Sequence, residues 1–237
     1  MKKMRARSHV LLCMIVVLCS LVLVPHNVSA DDKTQARHLV EKARMTLESF
    51  ANAPEMGALR DLLKSARGVF ISPQILRGAF IIGASGGSGV FLVRDKHKGD
   101  WTGPAFYTIG EASFGLQIGG DASEVVLVAM TERGVNALLS SSVKLGADVG
   151  VAVGPVGAGA EASTANLSAD IISFSRSKGL YGGISLEGAV IAVRESLNTA
   201  YYGRNVSPSD ILIARVVGSS HSIVLRSELA KLAGGHI

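Results

Sequence analysis

Apolar positions along the chain recur with two periods, and the change of period marks where helices give way to strands. From Asp32 to Ala53, Leu39, Ala43, Leu47 and Phe50 fall on one helical stripe, with Lys33, Arg37, Lys42, Arg44 and Glu48 around it. This spacing predicts a basic amphipathic helix. Pro54 restarts a second helix whose stripe is Met56, Leu59, Leu62, Leu63 and Ala66, ended at Gly68. The period then shortens. Val69–Ser72 reads as a short strand stopped by Pro73, and Gly78–Ala84 and Val90–Arg94 as apolar runs separated by Ser85-Gly86-Gly87-Ser88-Gly89. That glycine run predicts a flexible turn or a bulge where the backbone passes close to something. A charged turn, Asp95–Asp100, leads into a second hairpin at Trp101, and Phe114, Leu116 and Ile118 alternate through Ser113–Gly119. Glu124–Met130 is almost continuously apolar, as in a strand covered on both faces.

Thr131 caps a short helix carrying Val135, Leu138 and Leu139. Leu145–Ala162 places Val149, Val151 and Val153 two apart with Gly or Ala between, a strand with one nearly bare face. In Asp170–Arg194 two apolar runs, Ile171–Phe174 and Ile184–Val193, flank a polar turn and predict a hairpin. Gly179 supplies a positive φ there, and Arg176 and Lys178 project two cations from the tip. Ser207, Pro208 and Asp210 form a helix start, and Ile223–Leu232 a last helix closed by Gly234. The fold expected is α+β: N-terminal helices packed on a largely antiparallel, curved or barrel-like sheet, with C-terminal helices.

The first thirty residues stand apart from this pattern. Lys2, Lys3, Arg5 and Arg7 precede an apolar run, Val10–Val24, and Val28-Ser29-Ala30 offers a small-residue cleavage site. This is the form of a secretory signal peptide; the run is short of the roughly 20 residues that span a bilayer. Residues 31–237 are then expected to form a single domain, exported to a periplasmic or outer-membrane-associated location if the source is bacterial. Cleavage also changes the charge. The chain has 24 Lys and Arg against 19 Asp and Glu, and the leader removes four cations and no acid, leaving 20 against 19. A net charge of +1 gives no support for nucleic-acid binding. Both cysteines, Cys13 and Cys19, leave as well, and with them any disulfide or thiol chemistry.

Catalytic patterns are sparse. Gly83-Ala84-Ser85-Gly86-Gly87 matches the nucleophile elbow G-x-S-x-G, which needs a strand before it and a helix after it; here a strand follows. A serine hydrolase using Ser85, with a histidine from His97, His221 or His236, is one alternative. Gly157–Ala162 resembles a dinucleotide fingerprint without its helix. There is no H-E-x-x-H, P-loop or carboxylate cluster at metal spacing, so no enzyme activity, cofactor or metal is expected.

Several long segments in order carry a resemblance: SARGVFI (Ser65–Ile71), SGGSGVFLVRD (Ser85–Asp95), GDWTGPAFYTIG (Gly99–Gly110), GLQIGGDASEVVLV (Gly115–Val128), VAVGPVGAGAEA (Val151–Ala162), SFSRSKGLYGGISLEG (Ser173–Gly188) and AYYGRNVSPSDIL (Ala200–Leu212). Together they resemble the SYLF domain family. The resemblance implies a non-enzymatic domain that binds membrane lipid, phosphoinositides in eukaryotic members, some of which also bind actin; secreted versions look like bacterial envelope proteins. An exported bacterial chain would not meet actin, and an anionic phospholipid is the expected partner. The sites expected for it are Lys33, Arg37, Lys42 and Arg44 for head groups, Leu39, Leu47 and Phe50 for insertion, and Arg176 and Lys178 at the hairpin tip. The apolar stripe serves equally to pack the first helix on the domain, its commoner use. A structural module that binds another protein through its sheet is a further alternative, with an exposed apolar patch as its mark.

Overall fold

The computed structural model describes residues 28–79, 82–95, 98–114, 119–157, 169–182 and 185–234. The chain divides into Met1–Asp31, described only at 28–31, and Asp32–Ile237. Helix α1 is Val28–Asn52; after a 3-10 turn at Pro54–Met56 comes α2, Gly57–Ser65. Four long strands follow: β1 Gly68–Ala79, β2 Ile82–Arg94, β3 Trp101–Phe114 and β4 Gly119–Ala129. Then come α3 Glu132–Leu139, the short strands β5 Ser142–Lys144 and β6 Val151–Val153, β7 Ile171–Ser177, β8 Leu180–Gly182 and β9 Val190–Val193. Helix α4 (Glu195–Tyr202), a π-helical turn (Asp210–Ala214) and α5 (Ile223–Leu232) close the chain.

The strands form one sheet in the order β5-β9-β3-β2-β1-β4-β7-β6, with β8 also on β7. Strand β6 runs parallel to β7, and the other named pairs are antiparallel. The sheet curls into a half-barrel, so the fold is α+β with a curved, largely antiparallel sheet between helices, as the sequence pattern predicts.

Both faces of the central strands are buried, because successive side chains point to opposite sides. Val69, Ile71, Val90, Leu92, Val126 and Val128 pack with α1, α2, α4 and α5. Their neighbours Phe70, Phe91, Val93, Val125 and Leu127 pack with α3, Leu186 and the π-turn residues Ile211 and Leu212. The apolar run Val125–Ala129 is fully enclosed, which explains why it lacks alternation.

Four local expectations differ in the structure. Pro73 does not end a strand: β1 continues through a bulge, its register shifting between Ile71 and Gln74 against β2. A bulge takes a residue out of the ladder, so the missing N–H of proline costs no pairing there. Ser85–Gly89 is not a turn either, but the interior of β2 facing that bulge. A Cβ on Gly87 would lie 2.1 Å from the Gln74 carbonyl oxygen, and one on Gly89 2.4 Å from the Phe70 ring. Close backbone approach is therefore the reason for those glycines.

The third concerns the hairpin at Asp170–Arg194. Its turn is right, with Lys178 and Gly179 both at positive φ (50° and 79°), but its second arm is the three-residue β8. Of the apolar run expected as its second arm, Ile184–Val193, only the end is strand among the described residues: β9, which pairs with β3 and β5 instead. Positive φ at Gly188 and the enclosure of Leu186 and Ala189 show a chain turning inward between the two strands. The expected strand over Leu145–Ala162 reduces to β6 and a bridge from Leu145 to Val149, residues 158–168 lying outside the described set. Leu116 and Ile118 also lie outside it.

Candidate functional site

The first predicted site is divided by the structure. Leu39, Leu47 and Phe50 are buried at 8%, 0% and 0% exposure in the core that α1 shares with the sheet. The stripe is spent on packing, which corrects the expectation of an inserting apolar face: a side chain already out of water gains nothing further from a bilayer. Lys33, Arg37 and Lys42 face outward and are exposed. Arg44 is half-buried and ion-paired with Glu48 one turn on. On the same outer face Glu41 accepts from His221 Nε2 at 3.1 Å, while His221 Nδ1 lies 3.2 Å from the Tyr201 hydroxyl. The hydrogen bond from His221 holds the Glu41 carboxyl below its ordinary value.

The second predicted site separates too. Arg176 does not project from the hairpin. It turns back to Glu124, its cross-strand partner on β4, and donates to Ser49 Oγ of α1 at 2.5 Å and to Tyr181 Oη at 3.2 Å. Burial, the largest single influence, lowers its pKa, but the charge and hydrogen bond of Glu124 together with the Tyr181 hydroxyl raise it above the ordinary value. Desolvating a guanidinium requires such a partner, which is why the residue folds inward. Lys178 stays exposed at the turn. Ser85, the nucleophile of the hydrolase alternative, sits inside β2, paired in register with Arg77 and Glu111. No strand-to-helix corner exists at that serine, so the elbow geometry is not present there. Among the described residues no three His, Cys, Asp or Glu side chains cluster at metal-binding distance. No described helix is long and apolar enough to cross a membrane.

A cleft of about 350 Å3 opens where the ends of β1 and β2 meet α3 and the π-turn. Its floor is Val93, Val135, Leu139 and Leu212, and three arginines stand around it, Arg67, Arg94 and Arg215. Two begin from adjacent backbone, since Arg67 O accepts from Arg94 N at 2.9 Å. Arg67 pairs with Glu132 at 3.2 Å, and Arg215 pairs with Asp95. Arg94 is held differently, donating to the carbonyl oxygens of Lys64 (2.7 Å) and Gly99 (3.4 Å). Arg215 ends the π-turn in the left-handed region, φ 56°, rare for a residue with a side chain. Thr102 Oγ1, 3.0 Å from Leu212 O, fixes that turn to β3. This site is not legible in the sequence, because its cations come from three distant segments. The one available signal was an arginine at the end of an apolar run, as in SARGVFI and FLVRD.

Comparison with known proteins identifies the framework that carries these features. A family model described as Ysc84, the Las17-binding protein actin regulator, matches residues 110–232, more than half of the chain. The chain belongs to the Ysc84/SYLF family. The SH3 domain-containing YSC84-like protein 1 of Rattus norvegicus is 30% identical over 195 residues, 81% of this SYLF chain and 56% of the relative. For the Homo sapiens protein of that name the figures are 30% over 191 residues, 80% and 54%. LAS seventeen-binding protein 3 of Saccharomyces cerevisiae (strain ATCC 204508 / S288c) is 34% identical over 160 residues, 66% of this chain and 34% of the relative. The SYLF chain thus spans little more than half the length of the YSC84-like relatives. The match from residue 110 onward takes in α3, Arg215 and the Glu124–Arg176 pair, while Arg67 and Arg94 precede it.

Proposed function

We propose that this SYLF chain is a non-enzymatic binding protein for anionic phospholipid membranes, exported by its first thirty residues and working at the cell envelope. The observation that carries the reading is the division of α1: its apolar stripe is committed to the core, and Lys33, Arg37 and Lys42 are left on the outer face. Contact is then electrostatic and peripheral. At about 1 kcal/mol per cation near an anionic surface, three cations give weak, salt-sensitive attachment. Cosedimentation of residues 31–237 with phosphatidylglycerol and phosphatidylcholine vesicles tests it. Binding to the first alone, at low salt and not at high salt, is the expected result. Equal recovery with both vesicles, or with neither, sinks it.

A second reading, a module that binds another protein, is favoured by four exposed apolar side chains in one short stretch, Ile213, Val216, Ile223 and Val224, at 54%, 51%, 49% and 59% exposure. The family's description as a Las17-binding actin regulator agrees with a protein partner in eukaryotic relatives. Replacing Val216 and Val224 by Ser leaves vesicle binding unchanged if the lipid reading holds. It abolishes capture of a protein partner if this one does.

A further inference from the structure

We propose that the cleft between the β1 and β2 ends, α3 and the π-turn is a specific site for a phosphate-bearing amphiphile, with Arg94 as its anion anchor. The proposal rests on the lipid reading above and places a defined head-group pocket apart from the cationic face of α1. Arg94 carries the argument. A guanidinium has five N–H donors, and two carbonyl contacts orient this one without neutralising it. The other two arginines of the cleft already face carboxylates, Glu132 and Asp95. Among the described lining residues three guanidiniums stand with two carboxylates, and Arg94 is the one held by backbone carbonyls. Such an arrangement suits the planar, bidentate recognition of a phosphate oxygen pair.

The floor decides what the phosphate is attached to. Val93, Val135, Leu139 and Leu212 line the cleft beneath the charges, giving apolar walls with a few convergent polar groups, the usual make-up of a small-molecule site. A free phosphate ion would use the arginines and leave these walls wet; a phosphate ester with a short apolar stem covers both. The π-turn adds a second reason to regard the place as a built site. Single π-turns recur at functional positions, and this one delivers Arg215 in a left-handed conformation that a side chain rarely takes. The strain is held by Thr102 on β3 and by the pair with Asp95.

The test is titration of residues 31–237 with dihexanoyl phosphatidic acid, inorganic phosphate and dihexanoyl phosphatidylcholine, followed by methyl resonances of Val93, Leu139 and Leu212. Saturable shifts with phosphatidic acid, at least tenfold weaker with either other probe, are expected. Arg94→Gln is expected to weaken binding tenfold or more. Because Arg94 also ties two backbone carbonyls and its loss could loosen the fold, Glu132→Gln is the companion variant. Removal of that exposed carboxylate is expected to tighten binding by about threefold, the scale of one surface charge pair. Equal binding of inorganic phosphate overturns the amphiphile assignment in favour of a free-phosphate site. Absence of shifts with all probes, or binding indifferent to both variants, overturns the site altogether. The triple variant Lys33→Glu, Arg37→Glu and Lys42→Glu separates the two ideas: it is expected to lose vesicle attachment and keep the cleft titration. In the wild-type chain, by contrast, failure to bind vesicles beside a working cleft counts against the α1 face, and vesicle binding without a cleft titration counts against the cleft.

Discussion

Glu124 on β4 and Arg176 on β7 stand directly opposite each other in the sheet, and their ion pair fastens α1 to it. Glu124 also accepts from Thr46 at 2.9 Å, and Arg176 lies 5.5 Å from the centre of the Tyr181 ring, whose hydroxyl donates to the Ser49 carbonyl. Removing the cation leaves a half-buried carboxylate short of its partner. Arg176→Met is expected to lower stability by roughly 2 kcal/mol, below the full cost of a buried pair because both side chains retain some solvent. Glu124→Gln, which keeps an acceptor, is expected to lose about half as much. Urea unfolding of the two variants is the check; equal stability of Arg176→Met and wild type would show that the pair is a surface contact.

Phe50 separates the packing role of α1 from a membrane role. Its ring meets Tyr181 edge-on at 5.2 Å and has no exposed surface. Phe50→Ala is expected to cost about 3–5 kcal/mol, as for a large aromatic removed from a core. Were the ring an inserting anchor, the same change would leave the urea midpoint in place and weaken only vesicle attachment.

Gly86 and Gly87 are adjacent in sequence and opposite in tolerance. A methyl on Gly87 meets the Gln74 carbonyl at 2.1 Å, whereas the nearest atom to one on Gly86 is 3.8 Å away. Gly87→Ala must open the bulge that lets β1 pass Pro73, and should unfold at markedly lower denaturant than Gly86→Ala, which is expected to behave like wild type. Similar melting temperatures for the pair would mean that the bulge does not press on β2.

The contrast between these glycines shows how far the sequence could be read. Periodicity located α1, α2, α3 and the central strands because each follows from neighbours three or four, or two, residues apart. The glycine run was recognised as a place of close approach, but its partner, Gln74, could not be named, since a bulge is a matter of register between strands. The same limit divided the expected lipid site. A stripe of Leu39, Leu47 and Phe50 says that one face is buried, not whether a sheet or a bilayer buries it. Arg176 looked like a tip cation because Glu124, which draws it back, lies 52 residues earlier. Arg67, Arg94 and Arg215 converge only through the pairing of β1 with β2 and the fastening of the π-turn to β3.

The turn after β7 is a place where the native residue is not the best one. Lys178 and Gly179 both have positive φ, the pattern of a type I′ hairpin turn, for which Asn-Gly is preferred. A left-handed conformation costs an ordinary side chain roughly 1 kcal/mol or more. Lys178→Asn is therefore expected to raise the thermal midpoint by a few degrees. It also removes an exposed cation, so unchanged vesicle attachment in the same variant would take Lys178 out of the lipid contact.

Acid should weaken one end of the cleft in a way that identifies its cause. Asp210 accepts from the Ser207 hydroxyl at 2.7 Å and from the Ser207 N–H at 2.9 Å, while its own N–H donates back to Ser207 Oγ at 3.1 Å. The Ser207 hydroxyl first, then its backbone N–H, hold the Asp210 carboxyl below the usual carboxylate range. A carboxyl with a depressed folded pKa stabilises the fold above its unfolded value, and that contribution disappears as pH falls through the folded value. Asp210→Asn is accordingly expected to be less stable than wild type at neutral pH, with the difference shrinking below roughly pH 4, where an ordinary aspartate protonates. Because the π-turn begins at Asp210 and ends by presenting Arg215, binding in the cleft should weaken over the same interval. A stability gap between variant and wild type that does not change from pH 7 to pH 3 would mean that the carboxylate charge has no part in starting the turn.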